Sequence, residues 1–224
     1  MKRPSKPALP TVCRELPAFA ADDLDAVRQA FRRATPCALC QAWLKKTEAD
    51  FAPAVVRAGW RGESLRLFAE LEDRDIFTRV TAHNQRFWEL GDTFEIFLRP
   101  VEQQAYVEFH VSPNNRRLQL RFTDAGMVDR LRKTDSIEEA LIWGKSFHSR
   151  TWLQPDEHRW FVVAEIPVKS VCEQRRPLKG ALWRYSFSRY DYTRGREKPV
   201  ISSTSHHAKP DFHGQGEWGT LSFR

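Results

Sequence analysis

The chain has 224 residues, of which 41% are hydrophobic and 12% aromatic, and it carries a formal net charge of +7. That length fits one large domain with a substantial core, and no segment approaches the roughly 20 apolar residues needed to span a bilayer. The basic residues occur as scattered pairs (Arg32–Arg33, Lys45–Lys46, Arg116–Arg117, Arg175–Arg176) interleaved with acids, which describes a solvated surface and not a nucleic-acid groove.

The opening stretch, MKRPSKPALPTVCRELPAF, is proline-rich and predicts an extended or poorly ordered lead-in over residues 1–21. It is positively charged but has no uninterrupted apolar run of signal-peptide length, so the sequence as given reads as cytoplasmic, with export left open. Next, DDLDAVRQAFRRA places Leu24, Val27 and Phe31 at helical spacing behind Asp22 or Asp23 as a cap, which predicts a short helix. From Ala38 the texture becomes strand-like. ALCQAWL, SLRLFAEL, DIFTRVTA, DTFEIFL, AYVEFHV and RLQLRF follow one another, separated by turn chemistry such as Ser112–Pro113–Asn114–Asn115. Residues 124–142 break the series. Ser136 opens SIEEALIW with Glu139 in the place of a capping-box partner, so one or two short helices are expected there. Strand texture resumes in RWFVVAEIP and ALWRYSFSRYDY, and the chain closes on WGTLSF.

Evenly spaced strands with turn signals predict an all-β fold: a two-sheet antiparallel β-sandwich of jelly-roll kind, with short helices at the N-terminus and inserted around 124–142. The expected organisation is an N-terminal extension over 1–37 and a sandwich over 38–224.

Strand parity then predicts a polar face. Phe94, Ile96 and Leu98 alternate with Thr93, Glu95 and Phe97, and in YVEFHV the residues Tyr106, Glu108 and His110 lie opposite Val107, Phe109 and Val111. In RLQLRF, Gln119 and Arg121 lie opposite Leu118, Leu120 and Phe122. Joined together, Glu95, Glu108, His110, Gln119 and Arg121 form one candidate face, wet as antiparallel sheets often are. A sugar in water needs charged acceptors and donors for its hydroxyls and a flat aromatic for its C–H face. Trp88, in the turn leading into the Glu95 strand, is the candidate aromatic.

The order and spacing of LRLFAELEDRDI, WELGDTFEIFLRP, YVEFHVSPNN, WFVVAEIPVKSV, LWRYSFSRYD and PDFHGQGEWGTLSF resemble family 9 carbohydrate-binding modules and their relatives in the DOMON-like β-sandwich superfamily, from about Ala38 to the C-terminus. The resemblance implies a non-catalytic domain that binds a mono- or oligosaccharide weakly, gripped between two tryptophans. Trp88 matches the first of these and Glu95 the strand carboxylate. The second tryptophan is expected after RYSFSRYD, where this chain has VISSTSHHAKPDFH, with His206 or His207 as replacements. Arg189 matches a position that often carries a polar group. By parity it shares a face with Trp183, Tyr185 and Phe187, so either a bulge turns it outward or a carboxylate meets it inside. Some such modules hold a structural calcium, for which Asp73, Asp75 and Asp92 are candidates; no other cofactor is implied.

Other classes stay in view. Glu95 and Glu108 have the residue type of a glycosidase pair. Cys37 and Cys40 have zinc-ligand spacing without a second pair, with His206, His207 and His213 remote in sequence. Haem would need Met127, His110 or His148. The alternative to sugar binding is a sandwich repurposed as a protein-interaction domain.

Overall fold

A computed structural model describes residues 10–124, 126–172 and 178–224; Arg175–Arg176 and the first nine residues of the lead-in lie outside them. The chain is mostly β. Its strands are β1 (Thr11–Glu15), β2 (Pro36–Ala38), β3 (Ala54–Arg61), β4 (Ser64–Glu72), β5 (Thr93–Pro100), β6 (Tyr106–Val111), β7 (Arg117–Phe122), β8 (His148–Gln154), β9 (Arg159–Pro167), β10 (Leu182–Asp191), β11 (Val200–Ser203) and β12 (Gly219–Phe223). Helices α1 (Leu24–Phe31), α2 (Met127–Thr134) and α3 (Val168–Val171) complete it.

The strands run in one hydrogen-bonded path, β7-β6-β5-β10-β12-β1-β3-β4-β9-β8, with β11 added to β10 and β2 to β3. The joint in this path is β1. Thr11–Cys13 pair in parallel with β12, and Arg14–Glu15 pair in parallel with β3, so one short strand passes from one half of the sheet to the other. Two details therefore differ from the expectation. The sheet is mixed rather than wholly antiparallel, and the supposed lead-in supplies a structural strand. Proline density hid it, because Pro10 and Pro17 flank β1 without interrupting it.

Between the two halves lies the main core, in which Phe94, Ile96, Leu98, Val107 and Phe109 meet Leu65, Leu67, Leu71, Trp160 and Val162. Both outer faces are covered as well. On one side α1, capped by the Asp23 carboxylate accepting from the N–H groups of Asp25 and Ala26, lays Val27, Ala30 and Phe31 on Phe68, Phe161 and Val163. On the other, α2 and the segment 205–218 cover β5, β6 and β7 with a second apolar layer that includes Phe97, Tyr106, Leu118, Leu120, Phe122, Leu131, Phe212 and Trp218. A helix over the predicted insertion is thus present, and its apolar side explains its place.

Local expectations fared unevenly. DIFTRVTA forms only a bridge between Thr78 and Gly91, and ALCQAWL only β2 and a bridge at Cys40. Strands β3, β8 and β11 were not foreseen.

Candidate functional site

Trp88 sits in a short 3₁₀ turn, Phe87–Glu89, ahead of β5. Gly91 makes this turn possible: its φ is +140°, and a Cβ there would lie 2.5 Å from the Phe77 carbonyl oxygen. The Tyr192 hydroxyl donates to the Trp88 carbonyl, and the half-buried indole meets the His110 ring edge-on, centroids 5.7 Å apart, with the Arg86 guanidinium 5.5 Å from its centre.

On the sheet, Glu95 stands opposite His110 of β6 and Ser188 of β10, while Phe97 stands opposite Glu108. Glu95, Glu108 and His110 therefore share a face, as parity predicts. That face is not wet: the three residues are 2%, 3% and 0% exposed. The covering layer provides the reason. Where α2 and the segment 210–213 do not close completely, a cleft of about 320 Å³ remains, with Glu95, Phe97, Glu108, Leu120, Phe122 and Tyr190 lining it from the sheet. Trp88 and Arg86, Val128, Leu131 and Arg132 of α2, and Phe212 and His213 also line it, with Asp135 and Asp211 at its wall.

Gln119 and Arg121 are elsewhere. Gln119 pairs with Phe109 and Arg121 with Val107, so both side chains lie on the main-core side of the sheet. There the Gln119 amide donates to the Gly144 carbonyl at 2.8 Å and accepts from the Ser146 N–H at 2.9 Å, and Arg121 donates to the Ser170 carbonyl at 3.0 Å. The expectation failed because β7 has apolar residues facing the second layer. Alternation identifies two faces but does not say which apolar layer each one meets.

Arg189 also lies away from the cleft. It keeps the parity of Phe187 and is 1% exposed, with its guanidinium 3.2 Å from Asp73 and 3.1 Å from Asp191. Of the two options parity allowed, a carboxylate inside is the one observed. Asp73, Asp92 and Asp191 bring oxygens within 4.8 Å of one another, and a divalent cation would compete with this guanidinium for the same oxygens. Asp75 pairs with Arg194 instead. Burial and the nearby Asp73 push Asp92 up to about 9, and burial pushes Asp191 up to about 7.

The cleft carboxylates are bound to one imidazole. His110 Nε2 is 2.5 Å from Glu108 Oε1, and Nδ1 is 3.5 Å from Glu95 Oε1. The second oxygens, Glu95 Oε2 and Glu108 Oε2, are buried and without a hydrogen-bond partner. Burial and the neighbouring Glu108 hold the Glu95 carboxyl well above its ordinary range; Glu108 is held below its own, with the two histidines outweighing burial. These three side chains offer ligating atoms within 4.8 Å, yet a metal ion bound through His110 Nε2 would have to part it from Glu108. For haem ligation His110 Nε2 is already bonded to Glu108 and Nδ1 faces Glu95 at 3.5 Å, Met127 accepts from the Thr123 N–H, and His148 lies exposed on β8. Among the described residues, neither Cys37 nor Cys40 joins a metal-ligand cluster.

Residues that sequence reasoning missed complete the site. The Tyr106 hydroxyl and His213 Nδ1 share a hydrogen bond at 2.7 Å; burial keeps the phenol protonated and lowers the His213 imidazole, and with the hydroxyl as donor the neutral ring presents Nε2–H. The expected aromatic partner from the loop after β10 is neither His206, which is exposed, nor His207, which is buried against Glu217; Phe212 and His213 reach the cleft instead. Tyr190 could have been found had the β5–β10 pairing been known.

The architecture is that of a mostly β, sandwich-like domain, with an acid-floored cleft beneath α2. Among solved structures the chain is similar over 95% of its length to a candidate carbohydrate-binding protein from Bacteroides uniformis, at 17% identity and a TM-score of 0.73, covering 98% of that chain. It is also similar to a family 9 carbohydrate-binding module from Caldicellulosiruptor kristjanssonii, solved with cellotriose (15% identity, TM-score 0.64, 92% of that chain) and with glucose (15%, 0.60, 94%). The chain therefore has the fold of family 9 carbohydrate-binding modules. No protein-family model matches the sequence, and no curated protein does.

Proposed function

We propose that this chain is a non-catalytic carbohydrate-binding domain that takes a mono- or short oligosaccharide in the cleft beside Trp88. The observation that carries this reading is a pair of buried carboxylate oxygens without a hydrogen bond, Glu95 Oε2 and Glu108 Oε2, on residues lining an aromatic-walled cleft. They offer acceptors for sugar hydroxyls, His213 offers a donor, and Trp88 offers a ring face. A volume of about 320 Å³ suits one or two pyranose rings better than a long chain. The solved relatives with glucose and cellotriose support the same ligand class.

Catalysis is the less supported reading. Glu95 and Glu108 rise from one sheet face, an arrangement that grips hydroxyls from one side, whereas glycoside hydrolysis needs carboxyls flanking the scissile bond. Isothermal calorimetry with glucose, cellobiose and cellotriose tests the proposal. Dissociation constants between about millimolar and micromolar are expected after ordering and desolvation costs, and absence of heat at tens of millimolar would end it. In that event the protein-interaction reading gains, and its anchor would be Trp143, which is 76% exposed.

A further inference from the structure

The cleft has an unequal count of charges. Glu95 on β5 and Glu108 on β6 contribute two buried carboxylates, and between them stands a single imidazole, His110. Other titratable groups around Glu95 do not make up the difference. Arg132 of α2 pairs with Asp211, and Arg86 pairs with Glu89 and Asp135. Tyr190 of β10 is a phenol kept protonated by burial, and His213, bonded to the Tyr106 hydroxyl, faces Glu108 Oε2 at 3.8 Å and not Glu95. Glu108 has His110 at 2.5 Å, and Glu95 is left with the far nitrogen of the same ring at 3.5 Å and one oxygen with no partner at all.

From this we infer that the cleft selects a pyranose bearing a protonated amine over its neutral counterparts, with the ammonium seated on Glu95 beside the Trp88 ring. This rests on the sugar-binding reading and narrows it. An ammonium brings a positive charge and three donors to a buried carboxylate oxygen that otherwise has no hydrogen-bond partner. A neutral hydroxyl supplies hydrogen bonds but no charge, so Glu95 keeps its proton when a neutral sugar binds. Burial and Glu108 favour the protonated Glu95 carboxyl, and an ammonium seated on it displaces that proton to solvent: Glu95–COOH plus R–NH₃⁺ gives the carboxylate–ammonium pair and one released H⁺.

The test is calorimetry of the whole chain with glucosamine, glucose and N-acetylglucosamine, repeated in two buffers of different ionisation enthalpy. The expected result is glucosamine bound about tenfold or more tighter than either neutral sugar, with net proton release on binding that the neutral sugars do not show. Glu95→Gln should bring the three sugars within about threefold of one another; should that variant fail to fold, the proton release of the parent decides alone. Comparable affinities for all three, or tighter glucosamine binding without proton release, would overturn the inference and leave sugar binding standing. No binding of any sugar would remove both.

Discussion

Glu95 and His110 face each other across neighbouring strands, a carboxylate oxygen 3.5 Å from Nδ1, and neither is exposed to more than a trace of water. Burying an acid on a sheet face costs stability unless something compensates it, and here the compensation is shared with Glu108.

The cost should be visible in the pH dependence of stability. The Glu95 carboxyl is raised above its unfolded value, so its stabilising contribution is complete below the unfolded range and is lost as pH rises toward the folded value. Glu95→Gln removes that loss. Urea denaturation at acidic and at mildly alkaline pH should find the variant near the parent in acid and more stable than it in alkali. A variant less stable at both would contradict the assigned direction.

Gln119 gives the opposite test. Its amide ties residues 144–146 to β7 from the core side. Gln119→Ala should lower stability by about 1–3 kcal/mol through orphaned partners, while sugar affinity stays unchanged. Loss of affinity with intact stability would return Gln119 to the binding face.

Arg189 holds two buried aspartates together at 3.1–3.2 Å. Arg189→Met leaves Asp73 and Asp191 without that countercharge and should cost roughly 3–5 kcal/mol, or prevent folding at neutral pH. Chemical denaturation measures it, and the loss should shrink in acid as the aspartates protonate. A variant as stable as the parent would show that the cluster carries its charges some other way.

His213→Phe keeps a ring against Phe97 and Phe122 but removes the acceptor for Tyr106 and the free N–H. Stability should fall by about 1–3 kcal/mol, and sugar affinity by roughly threefold to tenfold. Unaltered affinity would remove His213 from the ligand contacts.

Much of this was legible in the sequence. Parity placed Glu95, Glu108 and His110 on one face, and the turn at Gly91–Asp92 placed Trp88 beside it. It misplaced Gln119 and Arg121 because Leu118, Leu120 and Phe122 read as core, which they are, but of the outer layer under α2. Their burial could not be assigned without knowing that α2 lies over β7 rather than beside the sheet. The same blind spot made the face look wet. β1 was missed because five residues between prolines show no periodicity, although its pairing with both β12 and β3 joins the two halves. Phe212 and His213 were invisible for a simpler reason: a loop residue reaches a site through tertiary folding, and no local pattern marks it.

The most direct measurement is the indole N–H resonance of Trp88, assigned by its disappearance in Trp88→Phe among the eight tryptophans of the chain and followed by NMR during titration with glucose and glucosamine. A saturable shift of that signal, together with amides of Glu95 and Glu108 and without change at Gln119, is the predicted result. An unmoved Trp88 signal at tens of millimolar sugar, or shifts confined to other surfaces, would contradict a saccharide site in this cleft.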